Sequence, residues 1–62
     1  MNRIRELRKA QNLSQQELAV KLGVDRSTIA KWETGAHSPR TYKLKQLAKI
    51  LDCSLEELLP GS

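Results

Sequence analysis

The stretch Leu13-Ser14-Gln15-Gln16-Glu17-Leu18-Ala19-Val20-Lys21-Leu22-Gly23-Val24-Asp25-Arg26-Ser27-Thr28-Ile29-Ala30-Lys31-Trp32-Glu33 decides how the rest of the chain is read. Ser14 followed three residues later by Glu17 is a capping box, in which each side chain satisfies a backbone amide that the first helical turn leaves free. Leu13 before the cap and Leu18 inside the helix form the two halves of a hydrophobic staple. Leu18, Ala19 and Leu22 recur at helical spacing, predicting a helix over about 14–21. Gly23 breaks the pattern where a left-handed residue lets the chain turn sharply. Asp25 suits the N-cap of a further helix over about 25–33, whose inner face carries Ile29 and Trp32. Two short helices crossing at about 90–120° need a small side chain at closest approach and a permissive residue at the turn. Ala19 and Gly23 supply them, and Leu18, Leu22, Val24, Ile29 and Trp32 form one apolar set facing the rest of the domain.

Outward from this unit, the chain reads as helix throughout. A first helix over about 2–11 has Asn2 as its N-cap, Ile4, Leu7 and Ala10 on one face, and Asn12 as a left-handed residue just past its end. Thr34-Gly35 ends the third helix, and Ala36 to Arg40 forms a loop containing Pro39. A fourth helix over about 41–51 turns Leu44, Leu47, Ala48 and Leu51 inward. Ser54-Leu55-Glu56-Glu57 is a second capping box, opening a short fifth helix over about 55–59 that carries Leu55, Leu58 and Leu59 before Pro60-Gly61-Ser62 stops it. The expectation is an all-α, five-helix bundle, a single domain over residues 1–62. Its core is expected to hold Leu7, Leu18, Ala19, Leu22, Val24, Ile29, Trp32, Leu44, Leu47, Leu51 and Leu55.

Composition limits the function classes. At 62 residues there is room for one domain, and a chain this short buries only ~60% of its unfolded surface. One Trp, one Tyr and no Phe make the core mainly aliphatic. Cys53 stands alone, so no intramolecular disulfide forms; with no apolar leader and no long apolar run, the expectation is a cytoplasmic chain that crosses no membrane. Neither Cys53 nor His37 has companions at ligand spacing, so no metal and no cofactor are expected. No nucleophile–base pairing or glycine-rich phosphate loop is present, which argues against an enzyme. The net charge is +4, but residues 1–49 carry +7 and residues 50–62 carry −3. Such asymmetry suits a polyanion on one face with an acidic end held away from it, although a solvated basic surface has the same composition.

The run from Leu13 to Ala19, then Leu22-Gly23-Val24, Ile29, Trp32-Glu33 and Gly35, resembles the phage repressor/Cro (XRE-type) helix-turn-helix family. Pro39, Leu44, Leu47-Ala48, Leu51 and Ser54 to Leu59 extend the resemblance over nearly the whole chain. It implies a lambda-repressor-like fold that binds double-stranded DNA with the third helix in the major groove. Base-reading roles are implied for Arg26, Ser27 and Lys31, with Thr28 at the margin. Arg can hold guanine O6 and N7 bidentately, Ser specifies weakly, and Lys31 can reach a guanine or a phosphate. The resemblance further implies that Gln15 touches phosphate and buttresses Arg26, and that Glu33 pairs with Arg8 of the first helix. Thr34 and the loop to Arg40 would meet the DNA backbone, with Tyr42 and Lys43 as helpers. Val20 departs from the usual polar residue at its position, and Thr41 from a common apolar one.

Two function classes follow. One is a sequence-specific transcriptional regulator of repressor type, bound as a homodimer to an inverted repeat, with Leu55, Leu58 or Leu59 of the C-terminal region at the dimer contact. The other is a protein-interaction module, of antitoxin or bridging type, on the same scaffold. The outward residues of the third helix separate them: Arg26, Ser27, Ala30 and Lys31 include nothing large and apolar, which favours DNA.

Overall fold

The computed structural model describes residues 3–59. Among them lie four α-helices, α1 (Ile4–Ala10), α2 (Gln15–Leu22), α3 (Arg26–Thr34) and α4 (Thr41–Ile50), followed by one 3-10 turn at Leu55–Leu58. No strand occurs among the described residues. The expected fifth α-helix over 55–59 is therefore corrected to a 3-10 turn. Its bonds are i to i+3, from Glu57 N–H to the Ser54 carbonyl and from Leu59 N–H to the Glu56 carbonyl, both at 3.2 Å. Leu59 precedes a proline, which disfavours helical geometry, and it is extended at φ −77°, ψ 139°. The ladder ends before an α-helical turn can repeat.

The longer helices depart from their expected limits by one or two residues: α1 and α4 are shorter, whereas α2 and α3 begin one residue later and run one residue further, to Leu22 and Thr34. Arg3 occupies the cap position of α1 without a side-chain capping bond, and Gln11 falls at the C-terminal cap rather than inside the helix. The expected Asn2 cap and the Pro60-Gly61-Ser62 stop lie outside the described residues. Asn12 is left-handed at φ 58°, as its place after the helix suggested; Asp52, at φ 54° after α4, plays the same part without having been singled out. α4 starts at Thr41 and ends at Ile50, with Leu51 at its cap.

The helix-turn-helix itself follows its local chemistry. Glu17 N–H donates to Ser14 Oγ at 3.0 Å, and Ser14 N–H donates to Glu17 Oε1 at 2.9 Å. These bonds, that of the Ser14 backbone foremost, hold the Glu17 carboxyl below its usual range. Gly23 is left-handed at φ 70°, ψ 34°, and a Cβ there would meet nothing within 4 Å. Glycine is thus favoured by the backbone, where most L side chains cost about 1–2 kcal/mol, and not by crowding. Asp25 sits at the N-cap of α3, but its carboxylate makes no capping bond. The start of α3 rests instead on the Asp25 carbonyl, which accepts from Thr28 N–H at 3.0 Å.

The core is Ile4, Leu18, Ala19, Leu22, Ile29, Trp32, Leu47, Leu51 and Leu58. Leu7, Val24 and Leu44, expected inside, are partly buried and pack against this cluster from its edge. Leu55 is only half-buried and lies outside the cluster; it opens the 3-10 turn at the rim, while Leu58 at the far end reaches the interior. Ala10 is exposed, because α1 turns Ile4 and Arg8 inward instead. Between α4 and the turn after α2, Lys43 Nζ donates to the Leu22 carbonyl at 2.7 Å, closing an orphan acceptor at the end of α2.

Candidate nucleic-acid interface

α3 divides into an inner and an outer face. Ile29 is fully buried and Trp32 is 5% exposed, so these two anchor the helix. Arg26, Ser27 and Lys31 are exposed, while Thr28 and Ala30 are half-buried at the margins. Among the described residues neither the Arg26 guanidinium nor the Lys31 ammonium has a carboxylate within ion-pair distance. The outward strip is therefore cationic and polar, and its charge is uncompensated.

The one acidic residue of α3 is turned away from that strip. Arg8 Nε donates to Glu33 Oε2 at 2.6 Å, and a second donation runs from Arg8 Nη2 to Glu33 Oε1 at 3.4 Å. Gln15 Nε2 donates to Glu33 Oε1 at 3.0 Å, and Arg8 Nη1 donates to the Leu13 carbonyl at 2.7 Å. The two charged side chains are 9% and 5% exposed. One buried network thus ties α1, the α1–α2 loop, the start of α2 and the end of α3, and it removes the negative charge that Glu33 would otherwise present.

The residues expected to touch phosphate divide in a way that spacing did not reveal. Gln15 uses its side-chain amide on Glu33. Thr34 donates its hydroxyl to the Lys31 carbonyl at 3.2 Å. Lys43 is engaged on Leu22, and its ammonium lies 5.7 Å from the Tyr42 ring centroid. Arg40 and Tyr42 remain exposed, and with Lys31, His37 and Pro39 they line a shallow cleft between α3 and the start of α4. The His37 N–H donates to the Lys31 carbonyl at 3.3 Å, fastening this loop to the end of α3.

On the opposite flank, a groove runs between α1, the start of α2 and α3, lined by Arg5, Gln16, Arg26 and Thr34 over the Arg8–Glu33 pair. Arg5 and Gln16 were not singled out from the sequence. Arg5 stands one turn before Arg8, a phase that only the inward orientation of Arg8 makes informative.

Among the described residues, no group of three His, Cys, Asp or Glu side chains could hold a metal ion. Burial pushes the Cys53 thiol above its usual range, the nearby Glu57 carboxylate adding to the effect, so it is a poor nucleophile. No described helix is long and apolar enough to cross a membrane.

Residues 4–58 match the family described as Helix-turn-helix. The chain is 39% identical over 59 residues to the HTH-type transcriptional activator BcrR of Enterococcus faecalis, matching 95% of this chain and 29% of BcrR. It is 34% identical over 61 residues to the cryptic phage CTXphi transcriptional repressor RstR of Vibrio cholerae, matching 98% of this chain and 55% of RstR. An uncharacterized HTH-type transcriptional regulator of Archaeoglobus fulgidus is 38% identical over 56 residues, matching 90% of this chain and 80% of the relative. The chain spans about half or less of several other relatives as well. With the capping box, the Gly23 turn and the buried Arg8–Glu33 pair on one scaffold, the chain belongs to the XRE family of helix-turn-helix proteins.

Proposed function

We propose that this domain is a sequence-specific, DNA-binding transcriptional regulator that lays α3 in the major groove. The observation that carries this reading is the outward strip of α3: Arg26, Ser27 and Lys31 are exposed, cationic or polar, and free of carboxylates, while Glu33 is withdrawn into the buried network. A recognition helix meets base edges with its N-terminal residues, and Arg26 is the first residue of α3. Arg26 reads a guanine, Lys31 a guanine or a phosphate, Ser27 adds weak discrimination, and Thr28 stands at the edge. The exposed Arg40 and Tyr42 approach the backbone beyond the helix. Gln15 contributes through its backbone amide, since the first amides of a helix lack intrahelical partners and its side chain is held by Glu33. The names of the relatives as transcriptional regulators support the same reading.

The test is Arg26→Ala, assayed against duplexes selected from random sequence. The expected result is a loss of about 1–3 kcal/mol of discrimination at one or two base pairs, with the remaining positions still read. Equal weakening on selected and random duplexes would reassign Arg26 to phosphate.

We further propose that two copies occupy an inverted repeat, with half-sites about 34 Å apart. A single domain of this size buries little area on DNA, and Leu59, 40% exposed, and the half-buried Leu55 offer apolar surface for the pairing. Sedimentation of the chain with its selected duplex is expected to give a two-to-one complex. Monomer alone, both free and on DNA, would overturn the pairing and leave the α3 assignment standing.

A further inference from the structure

We infer that Arg5, on α1, binds a DNA phosphodiester in the groove between α1, the start of α2 and α3, so that the nucleic-acid surface extends beyond the helix-turn-helix to the first helix. This rests on the reading of the domain as a DNA-binding protein. The groove adjoins the recognition strip directly, since Arg26 forms part of its wall. Its single carboxylate, Glu33, has both oxygens occupied by Arg8 and Gln15, so it neither repels an anion nor competes for Arg5. Arg5 is exposed, and among the described residues no carboxylate lies within ion-pair distance of it. Its neighbour Arg3, by contrast, is spent on Glu57 at 3.2 Å and Glu6 at 3.6 Å.

The ligand class follows from the donors. Two free guanidiniums, Arg5 and Arg26, face one groove without a counter-charge, which suits an anion with several acceptor oxygens. The Thr34 hydroxyl in the same groove donates to Lys31 and so adds no proton of its own. Arg5 is therefore the charged donor at this flank that can take the phosphodiester while Arg26 keeps its base. The phase is fixed from inside: Arg8, one turn later, is locked on Glu33 and Leu13, and this sets the rim on which Arg5 stands.

Binding of a short random-sequence duplex, measured against salt concentration for wild type, Arg5→Ala, Arg5→Lys and Lys45→Ala, tests the assignment. Lys45 is an exposed cation on α4, outside the groove, and controls for net charge. Arg5→Ala is expected to make the slope of log K against log salt shallower by about 0.9, the share of one phosphate. Arg5→Lys should retain the wild-type slope, Lys45→Ala should leave it unchanged, and the melting temperature of Arg5→Ala should equal that of wild type. An unchanged slope in Arg5→Ala, or an equal change in Lys45→Ala, overturns the assignment while leaving DNA binding intact. A wild-type chain that binds no duplex overturns the DNA reading and this inference together.

Discussion

Arg8→Ala is expected to lower the unfolding free energy by about 3–5 kcal/mol, a large share of what a domain this small holds. The size of the loss comes from what is left behind. Glu33, whose side chain is 5% exposed, would be left with only Gln15 as a donor. The Leu13 carbonyl would lose the bond that ties the α1–α2 loop to α1. A surface pair broken in the same way would cost about 0–1 kcal/mol. Urea unfolding followed by fluorescence of the single tryptophan measures the difference directly. A loss of less than about 1 kcal/mol would show the pair to be wet and its burial of no energetic consequence. Replacing both partners together, with Arg8→Met and Glu33→Leu, should recover the part of the loss that comes from the unpaired charge, while the Leu13 carbonyl still lacks its donor.

Trp32→Ala should be comparably damaging, at about 3–5 kcal/mol. An indole on a recognition helix could in principle stack on a base, and the two roles predict different losses. Trp32 is 5% exposed and packs with Leu18, Ile29 and Leu47 in one cluster, so its removal opens a cavity beneath α3. Trp32→Phe should therefore retain DNA binding at the cost of some stability. A base-stacking tryptophan would instead leave stability unchanged in Trp32→Ala and lose affinity. Emission from Trp32 should also stay unquenched when DNA is added to the wild-type chain.

Much of this arrangement was legible because it is local. Ser14 and Glu17 lie three residues apart, and a cap between them needs nothing from elsewhere in the fold. Gly23 and the Ile29–Trp32 phase likewise announce a turn and a buried face from neighbouring residues alone. The closing element was harder, since Ser54 to Glu57 has the same cap signature but the extended Leu59 before Pro60 cuts the helix to a 3-10 turn. Competition among donors was not legible at all. Whether Gln15 or Lys43 offers its side chain to an outside anion depends on which acceptor folding brings near, whereas the Thr34 bond to the Lys31 carbonyl is local. For Gln15 and Lys43 that acceptor lies 18 and 21 residues away in the chain. Arg5 escaped notice although the Arg8–Glu33 pair was expected, because the groove that Arg5 lines is assembled from α1, α2 and α3 together.

The two faces of α3 also have separate evolutionary freedoms. Ile29, Trp32 and Glu33 hold the helix to the domain, whereas Arg26, Ser27 and Lys31 make no side-chain contact on which the interior depends. Exposed substitutions of that kind usually shift stability by no more than about 0.5 kcal/mol. The strip can therefore be rewritten residue by residue with folding left alone, and under the proposed reading of α3 each rewriting gives the same scaffold a new address on the genome.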